Sequence, residues 1–184
     1  FENVQQSTDG GQNWSSISSF PPPVNFGGPS ELSALAVANT NPQVIYATRR
    51  VRYEYNNTAN VFMTNDGGST WNDVTAGLPD TLYYTSMEVN SINANTAYVS
   101  MAGFANGEKI YMTSNSGTTW TNISYNLPNI PVNCVRSIPG TNDLIAATDI
   151  GIYTLSNGST TWNFYSNGLP NVIVSDIEIN ELGN

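Results

Sequence analysis

At 184 residues the chain is long enough to bury a core, yet it carries a formal charge of −9 and only five basic residues, Arg49, Arg50, Arg52, Lys109 and Arg136. That balance argues against nucleic acid or an anionic membrane as partner, and no apolar run approaches the roughly 18 residues of a membrane span. The absence of histidine removes His-based triads and His-ligated metals, and the single Cys134 permits no intrachain disulfide.

In chain order, the first marker is Ser7-Thr8-Asp9-Gly10-Gly11-Gln12-Asn13-Trp14. It returns as Thr64-Asn65-Asp66-Gly67-Gly68-Ser69-Thr70-Trp71 and as Thr113-Ser114-Asn115-Ser116-Gly117-Thr118-Thr119-Trp120. An eroded copy, Leu155-Ser156-Asn157-Gly158-Ser159-Thr160-Thr161-Trp162, has Leu155 for the hydroxyl residue and Ser159 for the glycine. The tryptophans lie 57, 49 and 42 residues apart, the signature of a repeat architecture. A second phrase follows each: Ser19-Phe20-Pro21, Gly77-Leu78-Pro79, Asn126-Leu127-Pro128 and Gly168-Leu169-Pro170.

Between the markers run short segments rich in Val, Ile, Thr and Tyr, bounded by Asn, Gly, Pro and Asp clusters, with no capped helical period. In the first full unit they predict strand A over 32–39, B over 44–48, C over 61–64 and D over 71–75. Four strands per repeat, all antiparallel, predict an all-β chain built as a β-propeller fragment. The expected division is 1–21 as the end of a partial blade, 22–79, 80–128 and 129–170 as blades, and 171–184 as the first strand of a further one. In the turn phrase, the Asp or Asn side chain is expected to accept backbone N–H groups two residues on, with the glycine at positive φ and the Trp anchoring the turn on its blade. The eroded copy should be looser or differently shaped.

These phrases resemble the Asp-box of bacterial neuraminidase-type repeats, Ser/Thr-x-Asp-x-Gly-x-x-Trp. Ser7, Asp9, Gly11 and Trp14 match in full, as do Thr64, Asp66, Gly68 and Trp71. Thr113, Asn115, Gly117 and Trp120 match with Asn for Asp, and the fourth copy keeps Asn157 and Trp162. The family includes sialidases, xyloglucan-hydrolysing propeller enzymes, sortilin-type receptors and photosystem assembly factors, and the resemblance implies structural turns between strands C and D, away from the ligand face. The phrasing over 126–134, 147–153 and 167–180 is similar to large secreted propeller proteins of gliding-type bacteria, many exported by the type IX route. That resemblance implies an extracellular or cell-surface address and partners that are other domains or chains of a larger secreted assembly.

Two groups are candidate ligand sites. The long connection after the second strand of the first full unit carries Arg49, Arg50 and Arg52 with Tyr53 and Tyr55; Arg can grip a carboxylate or sulfate and Tyr can stack on a sugar. The alternative is a hairpin whose arginines pair with Glu54 and other acids. The second group is one aligned inner-strand position, Ala36, Glu88, Arg136 and Glu178, where two carboxylates beside a guanidinium could serve glycosidic chemistry or line a water-filled axis as paired charges. The arginine triad from separate blades and the Arg-Ile-Pro phrase implied for sialidases are absent, and no calcium-loop ladder occurs. The sequence therefore predicts no catalytic residue, metal or cofactor within this span. It points to a binding module, for glycan or protein, or to a presenting scaffold; the alternative is part of a propeller glycoside hydrolase whose catalytic residues lie elsewhere.

Overall fold

In the computed structural model the described residues are 3–20, 31–50, 58–165 and 167–180, and the strands among them are all antiparallel. A short pair, β1 (Gln5–Gln6) and β2 (Ser15–Ser16), is followed by three four-stranded sheets. Sheet 1 is β3 (Leu32–Val37), β4 (Ile45–Arg49), β5 (Asn60–Thr64) and β6 (Asn72–Asp73); sheet 2 is β7 (Tyr84–Val89), β8 (Ala97–Met101), β9 (Ile110–Thr113) and β10 (Thr121–Asn122). Sheet 3 is β11 (Val132–Ser137), β12 (Leu144–Thr148), β13 (Gly151–Leu155) and β14 (Asn163–Tyr165). In each sheet the strands neighbour one another in chain order, a meander of the kind that forms a propeller blade. The fourth strands are shorter than the sequence suggests, because the turn phrase consumes the residues up to and including its tryptophan.

Period-two alternation explains the stacking. On β4, Ile45 and Ala47 face the β1–β2 pair with Val4, Phe62 and Trp71, whereas Tyr46 faces sheet 2 with Tyr84, Met87 and Val99. A second core between sheets 2 and 3 gathers Tyr98, Ile110, Ile123, Val135, Leu144 and Trp162. Middle strands are buried on both faces, which is why 44–48 and 97–101 read as almost continuous apolar runs, with Thr48 and Ser100 buried as hydrogen-bonded hydroxyls.

Each first strand carries a β-bulge, between Leu32 and Ala34, Tyr84 and Ser86, and Val132 and Cys134. The bulged residue is polar every time. Ser33 Oγ lies 2.8 Å from Thr48 Oγ1, Thr85 Oγ1 donates to the Val132 carbonyl (2.6 Å), and Asn133 Nδ2 donates to the Val174 carbonyl (3.0 Å). At Thr85 and Asn133 the bulge turns a side chain toward the next inner segment, whereas Ser33 bonds within its own sheet. Residues 171–184 are expected as the first strand of a further blade; of these, the described 171–180 take the Thr148 carbonyl through the Val174 N–H (3.0 Å) and the Asn133 amide without an extended ladder. The inner strands β7 and β11 likewise meet through side chains, Thr85, Ser86 and Glu88, and not through a backbone ladder.

The three matching turns are built alike. Thr64 Oγ1 donates to Asp66 Oδ1 (2.7 Å) and accepts the Gly68 N–H (3.0 Å), while Asp66 Oδ1 accepts the Thr70 N–H (2.9 Å). Ser7, Asp9 and Asn13 repeat this, as do Thr113, Asn115 and Thr119. The carboxylate therefore reaches N–H groups four residues on, not two; the hydroxyl fills the nearer role. In Asp66 the Thr70 hydroxyl above all, then Thr64 and the Thr70 N–H, hold the carboxyl down at about 2; Asp9 is likewise held at about 2, chiefly by the Asn13 N–H. The fourth turn differs, as Leu155 offers no hydroxyl: Asn157 N–H turns to Asp143 Oδ1 (2.6 Å) and Ser159 N–H to the Ser156 carbonyl (2.9 Å).

Trp71 packs with Phe62 and Trp162 with Leu155 of their own sheets, but the indole N–H groups reach further. Trp71 Nε1 donates to the Ile17 carbonyl (2.7 Å), Trp120 Nε1 to Val74 (2.7 Å) and Trp162 Nε1 to Ile123 (2.9 Å). Each acceptor lies three residues beyond the tryptophan of the preceding repeat, so these three indole N–H groups cross to the repeat before. Trp14 folds back on its own turn, donating to the Gly11 carbonyl (3.1 Å), and is 63% exposed.

Candidate functional site

The inner strands β3, β7 and β11 run side by side, and their registers place Ala36, Glu88 and Arg136 on the same rung, opposite Tyr46, Tyr98 and Ile145. With Glu178 from the following segment, these residues line a cavity of about 250 Å³. The cluster aligned from sequence is therefore brought together in space.

Its charges are bound to one another across sheet boundaries. Glu88 Oε1 accepts both the Ser137 N–H (3.2 Å) and the Ser137 hydroxyl (2.9 Å) of the next sheet. Arg136 Nη2 donates to Asp176 Oδ1 (3.0 Å) with Glu178 Oε1 at 3.9 Å, and its Nη1 meets the Val135 carbonyl (3.1 Å). Asp176 and Ser137 escape the sequence alignment, although Asp176 stands two residues before Glu178 and so shares its face of an extended segment. The Cys134 thiol first, then the Ile177 N–H and Arg136, hold the Asp176 carboxyl below its usual range. Burial pushes Cys134 up to about 12, which makes it an inert core thiol.

Burial raises the Glu88 carboxyl above the ordinary glutamate value, opposed by the two Ser137 bonds and by Arg136. The folded state then binds the proton more tightly than the unfolded chain does. Its stabilising contribution is complete below the ordinary carboxylate range and is lost as pH rises through the raised value. Glu88→Gln keeps an acceptor for Ser137 without a buried charge. It is expected to raise Tm near about pH 7 and to match the parent near about pH 3, read by thermal denaturation across pH.

The cationic loop falls partly outside the described residues: Arg52, Tyr53 and Tyr55 lie there, with Glu54. Arg49 is 3% exposed, stacked over Phe62 at 4.5 Å, and its Nη1 donates to Asn60 Oδ1 (3.2 Å), whose amide donates to Asp73 (3.1 Å). Arg50 pairs with Glu31 (2.8 Å) and lies 5.5 Å over the Tyr83 ring. Both guanidinium groups are engaged with their own fold, not directed at one common point. Among the described residues no group of three acidic or thiol side chains is arranged to hold a metal ion, and no helix is long and apolar enough to cross a membrane.

No family model matches the chain, and no curated protein matches it. Solved structures do. An ancestral GH74 enzyme aligns over 91% of the chain and 22% of its own length, with TM-score 0.66 and 17% identity. YCF48 bound to a D1 peptide aligns over 88% of the chain and 47% of its own, with TM-score 0.59 and 15% identity. PorZ, a surface component of the type-IX secretion system of Porphyromonas gingivalis, aligns over 89% of the chain and 23% of its own, with TM-score 0.56 and 13% identity. The chain thus spans less than half the length of these structures, and at such identities the likeness concerns the fold: an all-β, propeller-type stack of four-stranded antiparallel sheets.

Proposed function

We propose that the chain is a non-catalytic, extracellular or cell-surface propeller module of the Asp-box type that binds glycan or protein, or presents other parts of a larger secreted assembly. The observation that carries this reading is the state of the inner charges. Glu88 is consumed by Ser137, and Arg136 by Asp176 and Glu178, so the groups best placed for acid–base work instead join one sheet to the next. A glycosidase needs one carboxyl holding a transferable proton and a second facing the sugar across an open gap. The surface setting of PorZ and the peptide carried by YCF48 are compatible with a binding or assembly role, while the GH74 likeness keeps the hydrolase alternative in view.

The two readings separate in a single assay. The full chain incubated with xyloglucan, mixed-linkage glucan and sialyllactose is expected to release no product above the buffer rate. Release by the parent that Glu88→Gln or Glu178→Gln abolishes would overturn the non-catalytic reading.

A further inference from the structure

On the opposite side of the sheets from the β8–β9 loop, the turns 90–96, 138–143 and 155–161 form a rim. Between sheets 2 and 3 this rim opens into a groove of about 420 Å³, within the range of about 300–1,000 Å³ usual for small-ligand sites. Its floor is apolar, with Ile123, Leu144 and Leu155 beside the buried Tyr98. Its edges are amide and hydroxyl groups, among them Asn93, Asn142, Asn157 and Thr160, and no charged side chain lines it.

Two features of the sequence create it. At the interface before, Gly117 brings its turn against Val74, so close that a Cβ there would stand 2.7 Å from the Val74 Cβ. The fourth turn has Ser159 in that place, and its altered bonding leaves space over Ile123, the counterpart of Val74. The other feature is a displaced strain. In the turn 75–78 the left-handed residue is Gly77 (φ 92°). In its counterpart 124–127, Asn126 is held instead by a two-bond clamp, accepting the Trp162 N–H (2.7 Å) and donating to the Trp162 carbonyl (2.9 Å). Tyr125 takes the positive φ (41°), a costly conformation for a bulky residue, and stands 45% exposed on the groove.

We propose that this groove is a binding site for a neutral saccharide, with Tyr125 as the stacking platform. A sugar ring has a C–H face and a hydroxyl edge; the tyrosine ring and apolar floor meet the first, the surrounding amides and hydroxyls the second. A neutral lining in a chain of charge −9 gives no grip on an anionic ligand. The site lies away from the inner cavity and adds a ligand class to the functional reading above.

The test uses the full chain and ligand-observed NMR with cellohexaose, maltohexaose and mannohexaose as probes, and sialyllactose as the charged comparison. At least one neutral hexasaccharide is expected to bind. Tyr125→Gly should weaken that binding about tenfold, the loss of one stacking platform. The same variant should fold at least as stably as the parent, because glycine adopts the positive φ without strain. Tyr125→Phe and Glu88→Gln should leave affinity unchanged. The proposal fails if none of the three hexasaccharides binds, if sialyllactose is preferred, if Tyr125→Gly binds as the parent does, or if Glu88→Gln removes binding. Failure here leaves the product-release assay, and the non-catalytic reading it tests, untouched.

Discussion

Trp162→Ala is expected to cost about 3–5 kcal/mol of unfolding free energy, while Trp14→Ala changes it by no more than about 0.5 kcal/mol. The two residues occupy the same place in the repeated phrase, but Trp162 is 2% exposed and bonded to the repeat before, whereas Trp14 is 63% exposed and bonded to its own turn. Removing the Trp162 indole empties a wedge between sheets 2 and 3, where it packs with Ile123, Leu144 and Leu155, and leaves the Ile123 carbonyl without its donor. Trp71, 7% exposed, and the partly buried Trp120 should fall between these limits, since each makes the same bond to the preceding sheet. Urea denaturation of the four single variants gives the ordering. Equal losses at Trp14 and Trp162 would mean that the indole acts within its own turn.

Gly117→Ala is expected to cost about 2–4 kcal/mol, from two sources that can be measured apart. Gly117 has φ 81°, which an L side chain rarely adopts, and its added Cβ would stand 2.7 Å and 2.8 Å from the Cβ and Cγ2 of Val74. Gly158 has φ 76° with open space around it, so Gly158→Ala carries the backbone strain alone, about 1 kcal/mol. Val74→Ala removes the obstructing Cγ2 and Cγ1, at 2.8 Å and 3.2 Å, and leaves a Cβ that the turn must still move past. The double variant Val74→Ala/Gly117→Ala should therefore lose less than the sum of the singles, by about 1 kcal/mol or more of coupling. Strict additivity would show that the turn does not depend on close approach to the sheet before it. Gly68 faces Ile17 at 2.8 Å and should behave in the same way.

Much of this architecture was legible because the repeat is spelled out four times. The all-β class, four strands per unit and the position of each C–D turn follow from a phrase whose residues have one physical use each. Its partners were not legible. Nothing in the order Thr64-Asn65-Asp66 says that the carboxylate reaches four residues on, and a tryptophan's destination depends on which sheet stands beside it. The bulges carried a faint signal, a polar Ser33 or Asn133 within an apolar run and the Thr85-Ser86 pair, which only the registers explain. At the inner cavity, alignment found Glu88, Arg136 and Glu178 but passed over Asp176 and Ser137, because it compared equivalent positions while the bonds run between offset ones. The groove beside Tyr125 was invisible for the opposite reason: it arises where the repeat departs from its own pattern, at Asn126 and Ser159.

Trp71, Trp120 and Trp162 each fasten their repeat to the one before it through the indole N–H. Hydrogen exchange of the four indole N–H groups, followed by NMR, tests this most directly. Slow exchange at Trp71, Trp120 and Trp162 with fast exchange at Trp14 is the expected pattern. Exchange at Trp71, Trp120 and Trp162 as fast as that of an exposed indole would contradict it.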